Sequence, residues 1–287
     1  MCSRATRSAW WAAPGFRSDR ISICSSRLAE CPPTQCPSPA APADRPRGRW
    51  RPGTYNFLIV EDVIQPAAWI FDLDGTLVDT VETRIVAWLQ TFEERGIAAD
   101  RDQVAGLIGS DGRRLARLVA EAAGQASDAQ REEDIDRRAG EIFSALNVDP
   151  RVLPGALELL NALDKHRQRW AIATSSRREQ VDASVNALKL SRRPTVIDGS
   201  DVKHAKPAPD LLLFAARRLE IVPSEGCYVG DSIWDMQAAV AAGMPVVGVA
   251  SGSATAKELT EAGASLTVDD LTQLVPFARG AVSWSDR

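Results

Sequence analysis

Ala67-Ala68-Trp69-Ile70-Phe71-Asp72-Leu73-Asp74-Gly75-Thr76-Leu77-Val78-Asp79-Thr80 joins a short apolar run to two carboxylates and a glycine. The run is brief and rich in aromatic and β-branched side chains, which predicts a buried strand. Asp72 and Asp74 then fall where the strand ends. In an open parallel α/β sheet, ligands bind at the carboxyl ends of the strands. The two carboxylates therefore face a cleft, and the stretch is a candidate site on position alone.

Downstream, the pattern supports such a sheet. Pro154 opens a helix through about His166, with proline suited to the first turn. Strands are expected at Trp170–Thr174, Thr195–Ile197, Tyr228–Gly230, Val246–Val249 and Ser265–Val268. Helices are expected between them at Arg177–Leu190, Pro209–Leu219, Ile233–Ala242 and Thr255–Ala262. This alternation specifies an α/β fold: a doubly wound, parallel, Rossmann-like sheet covered on both faces. From Val81 to Pro150 the periodicity is helical instead. Ile85, Trp88, Leu89 and Phe92 form one apolar series; Leu115, Leu118, Val119 and Ala122 a second; Ile135, Ala139, Ile142, Phe143 and Leu146 a third. An all-helical insert is expected directly after the first strand. The expected organisation is an extension at 1–64, an α/β core at 65–80 and 151–280, and a helical cap at 81–150.

Composition bounds the function classes. The chain has 287 residues, 45% hydrophobic and 25% charged, with a net charge of −4. That balance is ordinary for a soluble globular protein. It provides no global positive field for a nucleic acid, so no nucleic-acid partner is expected. Arg outnumbers Lys, 29 to 5, a skew that fits a GC-rich coding sequence better than a chemical need. Residues Met236–Ala256 carry no charge and are long enough to span a bilayer. Gly243, Pro245, Gly248 and Gly252 break the stretch into helix, turn, strand and loop, so no membrane segment is expected.

Four of the five cysteines (Cys2, Cys24, Cys31 and Cys36) fall in the first 36 residues, and only Cys227 lies in the part that reads as folded. A disulfide framework is thereby excluded there, and a reducing, cytoplasmic setting is expected. The N-terminal four lack zinc spacing and a nearby histidine. Residues 1–52 hold nine Arg, eight Pro and seven Ser against three acidic residues, with no apolar period. Such a segment cannot bury enough apolar surface to offset its ordering entropy, and disorder is expected. A secretory signal does not fit, because Pro14 and Gly15 interrupt its short apolar stretch. An organelle transit peptide fits the Arg- and Ser-rich first half. The composition favours an extension upstream of a natural start near Val60 or Val63. Phe57-Leu58-Ile59-Val60-Glu61-Asp62 looks like the opening of a two-component receiver, but no aspartate ends a strand at the required distance.

Four stretches fall at expected strand ends: Asp72-Leu73-Asp74, Thr174-Ser175-Ser176, the Lys203–Asp210 segment, and Gly230-Asp231-Ser232-Ile233-Trp234-Asp235. In a parallel sheet all four face one edge, and Asp72, Asp74 and Asp231 share a cleft. Carboxylates that close cannot all ionise unaided. A hard, oxygen-coordinated cation, most naturally Mg²⁺, offsets their repulsion. Lys206 suits phosphate oxygens. Each stretch also has a plain structural alternative as a turn, a helix cap or a solvated carboxylate. Their joint order at alternating strand ends argues against coincidence.

With these residues in view, the sequence resembles the haloacid dehalogenase superfamily, in its phosphoglycolate phosphatase-like branch with an inserted helical cap. Asp72 to Asp79 looks like the family's first motif, Thr174 the second, Lys206 with Pro207, Pro209 and Asp210 the third, and Gly230-Asp231 through Asp235 the fourth. The resemblance runs from about Pro66 to Phe277 and is weaker in the cap. It implies phosphoryl transfer through a covalent intermediate. Asp72 would be the nucleophile, and Asp74 would protonate the leaving group and then activate water. Mg²⁺ would be held by Asp72, the Asp74 backbone carbonyl and Asp231, with Asp235 behind. Lys206, Thr174 and Ser175 would hold phosphoryl oxygens. Asp74 separates the chain from dehalogenases and phosphonatases, which lack an acid there. The cap has no Lys and no His, which favours hydrolysis over a β-phosphoglucomutase-type mutase and argues against the phosphonatase Schiff base. A non-catalytic binding protein would need an inactivating feature, and none of these positions is altered. The substrate partner is expected to be a small phosphorylated metabolite. Its choice is expected to lie in the cap loop Ile108-Gly109-Ser110-Asp111-Gly112-Arg113-Arg114, where Arg113 and Arg114 could meet a second anionic group.

Overall fold

A computed structural model describes residues 66–280. The expectations for residues 1–64 lie outside the described residues. The first strand, β1 (Ala68–Phe71), is followed by the Asp72–Leu77 loop and a two-residue strand, β2 (Val78–Asp79). Four helices come next: α1 (Val81–Glu94), α2 (Arg101–Ala105), α3 (Gly112–Ala122) and α4 (Ala129–Leu146). The strand β3 (Arg151–Val152) then pairs antiparallel with β2, so the chain leaves and re-enters the sheet region through one short ribbon.

After it come α5 (Ala156–Lys165), β4 (Arg169–Ala173), α6 (Arg178–Ala187), β5 (Val196–Ile197), α7 (Asp210–Arg218) and β6 (Gly226–Gly230). The described chain closes with α8 (Ile233–Ala242), β7 (Val246–Val249), α9 (Ala256–Glu261), β8 (Leu266–Val268) and α10 (Val275–Ala278). The six longer-range strands form a parallel sheet in the order β5-β4-β1-β6-β7-β8. This is the doubly wound α/β fold. Met236–Ala256 resolves into α8, β7 and their loops, and no helix among the described residues is long and apolar enough to cross a membrane.

Strand side chains alternate between faces, and both faces are buried. Trp69, Phe71, Trp170, Ile172, Cys227 and Val229 pack into one layer with α5, α6 and α10. Ile70, Ala171, Ala173 and Tyr228 pack into the other with α7 and α8. That two-sided burial explains why β1 is apolar at every position. Register fixes the site: Phe71 lies opposite Ile172 and Val229. Asp72 is therefore level with the ends of β4 and β6, one residue short of Thr174 and Asp231.

The four helices 81–146 bury their own cluster, including Ile85, Trp88, Phe92, Leu115, Val119 and Ile135. Ile142 and Phe143 pack separately against Ala87, and Leu146, expected in the apolar series, is exposed. The caps are local and readable. Asp111 and Asp128 accept backbone N–H groups at the starts of α3 and α4, and Ser232 and Asp235 form a reciprocal capping box at α8.

Candidate active site

Asp72 is buried at the end of β1, and Lys206 Nζ lies 2.5 Å from its Oδ1 and 2.7 Å from Asp235 Oδ1. Lys206 itself has no solvent exposure. It is carried on the loop before α7, where the Lys206–Pro207 bond is cis. Burial opposes the lysine's charge, but Asp235 and Asp72 outweigh it and hold the ammonium above the usual lysine range. The reverse holds for Asp72. Burial drives its carboxyl well above the usual range, Lys206 counters this, and Asp235 and Asp231 add to the rise.

Asp231 follows β6. Its Oδ1 accepts from Thr76 at 2.9 Å and its Oδ2 from the Ser253 backbone at 2.8 Å. Burial, reinforced by Asp235, pushes it up to about 7. Oxygens of Asp72, Asp231 and Asp235 lie within 4.8 Å of one another, so this triad could hold a metal ion. Both oxygens of Asp235 are already engaged, Oδ1 by Lys206 and Tyr228, Oδ2 by the Ser232 hydroxyl and N–H. Two glycines make room for Asp231. A Cβ on Gly252 would stand 2.0 Å from its Oδ2, and one on Gly75, at φ +85°, 2.5 Å from it.

Asp74 faces a different set of partners. Its Oδ1 accepts from Thr80 at 2.6 Å, and its Oδ2 from Ser176 at 2.6 Å and Arg84 at 2.9 Å. Burial pushes its carboxyl up, but the Arg84 charge and these hydrogen bonds win and leave it below the usual carboxylate range. The Asp74 side chain is thus not part of the carboxylate triad. Of the acid's polar groups, its backbone carbonyl is the one that the resemblance assigns to the metal.

A small cavity of about 50 Å³ joins these groups, lined by Asp72, Asp74, Thr174, Ser175, Lys206 and Asp231 from the strand ends. Thr174 Oγ1 accepts the Ser176 N–H at 3.1 Å, and Ser175 donates to Gly109 O of the cap loop at 3.2 Å. The cap side is lined by Arg84, Trp88, Gly109, Ser110 and Asp136; Arg177, just before α6, and Gln180 within it complete the lining. Arg177 is bound to Glu133 and Asp136 of α4, at 2.6 and 2.5 Å.

Arg113 and Arg114 do not line this cavity. α3 begins at Gly112, so Arg113 folds back onto its own helix cap, Asp111, at 3.2 Å and onto Lys203 O. Arg114 lies over the Trp234 ring at 5.2 Å. The cavity's cap-side cation is instead Arg84, which no motif in the sequence marks. Its place one turn after Thr80, at the start of the insert, was the available signal.

A family model described as haloacid dehalogenase-like hydrolase matches residues 69–249. The chain belongs to the haloacid dehalogenase-like hydrolases. The phosphoglycolate phosphatase of Pseudomonas fluorescens is 30% identical over 222 residues, covering 74% of this chain and 79% of that protein. The β-phosphoglucomutase of Bacillus subtilis is 30% identical over 198 residues, covering 64% and 84%. Among solved structures, a hydrolase from Pseudomonas syringae matches with a TM-score of 0.71 and 32% identity, over 75% of this chain and 99% of that one. Within the haloacid dehalogenase-like hydrolases the chain is a phosphatase of the phosphoglycolate phosphatase-like group, with mutases among its relatives.

Proposed function

We propose that this phosphatase hydrolyses a small phosphorylated metabolite in a Mg²⁺-dependent reaction, with Asp72 carrying the phosphoryl group between two steps. The observation that carries the proposal is the buried Asp72 carboxylate, held by Lys206 beside Asp231 and opening on the same cavity as Asp74. In the first step an Asp72 oxygen attacks phosphorus as the bond to the leaving oxygen breaks, and Asp74, which takes up a proton once its pair with Arg84 is broken, passes that proton to the leaving oxygen. In the second, Asp74 takes a proton from water as that water attacks the aspartyl-phosphate. Inorganic phosphate leaves and the Asp72 carboxylate is restored. Lys206 offsets charge on the transferring group, and Thr174, Ser175 and neighbouring backbone N–H groups orient its oxygens.

The donor set fits Mg²⁺. It is all oxygen, burial and the neighbouring carboxylates raise Asp72 and Asp231, and one lysine does not balance the three carboxylates. Asp72, Asp231 and the Asp74 carbonyl would hold the ion, with Asp235 steadying Lys206 and the α8 turn behind them. When bound, the ion supplies further neutralisation of phosphoryl charge. A cytoplasmic setting belongs to the same reading, and it accords with Cys227, a free buried thiol.

The test is phosphate release from an aryl phosphate by the full chain. Release should need Mg²⁺, stop with a chelator and be abolished by Asp72→Asn. Full activity in that variant would overturn the role of Asp72. The β-phosphoglucomutase relative motivates a second assay, in which an isomerised hexose phosphate without phosphate release would favour a mutase.

A further inference from the structure

Arg84 is the cavity cation whose partner has other work to do. Its side chain is 12% exposed and its guanidinium carbon lies 3.5 Å from the Phe143 ring centroid, so its charge is partly desolvated. Nη2 reaches Asp74 Oδ2 at 2.9 Å and Ser176 Oγ at 2.5 Å, and Nη1 reaches Gln180 Oε1 at 2.7 Å. The other two cavity cations are committed: Lys206 to Asp72 and Asp235, Arg177 to Glu133 and Asp136. Arg84 has one carboxylate partner, Asp74, together with two neutral oxygens. On the mechanism above, that carboxylate must turn to the leaving oxygen of the substrate.

We propose that Arg84 is a specificity-determining residue that binds a second anionic group of the substrate in place of the Asp74 carboxylate, so that the substrate itself frees Asp74 to face the leaving oxygen. This rests on the phosphatase reading and deepens it. A planar, always-charged guanidinium with two edges presented is suited to a carboxylate, and the group displaced here is itself a carboxylate. Arg84 and Lys206 line the same cavity, so one small substrate can meet both. Ser176 and Gln180 stay hydrogen-bonded to Arg84 on the core side and keep its head in place during the exchange. An uncharged ester of the same size leaves the Arg84–Asp74 pair closed and is a poor substrate.

Phosphoglycolate and its primary amide form a matched pair that differs in this charge, and an aryl phosphate serves as a reference for turnover. The full-length chain with Mg²⁺ should favour the carboxylate over the amide in kcat/KM, and Arg84→Gln should shrink that ratio by about 10- to 100-fold, the worth of a hydrogen bond to a charged group. Arg84→Lys, which keeps charge but not the fork, should restore part of it. If Arg84→Gln turns over too slowly to measure, binding in an Asp72→Asn background reads the same ratio by calorimetry with and without Arg84→Gln. A ratio near one in the unsubstituted chain, or one unmoved by Arg84→Gln in turnover and in binding, overturns the inference. Failure of the unsubstituted chain to release phosphate with Mg²⁺ from any of the three esters would instead overturn the phosphatase reading.

Discussion

Lys206 donates a 2.5 Å hydrogen bond to Asp72, and both side chains are almost wholly withdrawn from solvent, at 1% and 5% exposure. The same ammonium reaches Asp235 at 2.7 Å. One buried cation thus holds the proposed nucleophile and the carboxylate behind it. Replacing it by the similarly sized Lys206→Met leaves both uncompensated. Breaking a buried pair from one side costs about 3–5 kcal/mol, and losing one preorganised charge on the reacting group costs about 100- to 1,000-fold in kcat. Urea unfolding with metal chelated and steady-state kinetics with Mg²⁺ check the two effects separately.

Gly252 bears on the proposed metal site through packing alone. A methyl group there would meet Asp231 Oδ2 at 2.0 Å, so Gly252→Ala must displace that carboxylate. The Mg²⁺ concentration for half-maximal phosphate release should rise about 10-fold or more, as expected when support for a metal ligand is disturbed. A titration of activity against Mg²⁺ reads this, and saturating metal should recover most of the rate.

Arg177 ties core to cap through Glu133 and Asp136. Removing it leaves Asp136 buried and unpaired; burial already raises that carboxyl although Arg177 opposes it. Arg177→Ala should raise hydrogen exchange in α4 while strands β1 and β6 stay protected, because local opening draws on contacts of the element that opens. Exchange followed by mass spectrometry separates the two regions.

Cys227 gives a stability signature at high pH. Burial pushes its thiol up to about 12, whereas an unfolded thiol ionises near ~8.5. The folded state therefore binds the proton more tightly. Its contribution is intact below the unfolded value and is lost as pH rises from there toward about 12, at up to roughly 1.4 kcal/mol per pH unit. Compared with Cys227→Ala, the unsubstituted chain should lose more stability between pH 8 and 10. At neutral pH the native Cys227 peptide should resist alkylation and react once the chain is unfolded.

The sheet was legible because its strands are buried on both faces and therefore read as short apolar runs between helical periods. β2 and β3 were not, since two residues each carry no period. α2, with five residues, is too short to show an apolar series of its own. The strand-end groups were legible for a topological reason: a parallel sheet gathers whatever follows β1, β4 and β6 at one edge. The cap side of the cavity obeys no such rule. Arg84 meets Gln180, 96 residues away, through helix packing that sequence spacing does not encode. The glycine-flanked arginines Arg113 and Arg114 drew attention as a loop, but α3 starts at Gly112 and turns them toward Asp111 and Trp234.

The central claim is that the phosphoryl group is carried on Asp72. It is tested most directly by quenching the enzyme during turnover, reducing with borohydride and sequencing the labelled peptide by mass spectrometry. An acyl phosphate at that position is reduced to homoserine, so the account predicts homoserine at residue 72 that depends on substrate and Mg²⁺ and is absent in Asp72→Asn. Homoserine at Asp74 or another carboxylate, or undiminished phosphate release with residue 72 unmodified throughout turnover, would contradict it.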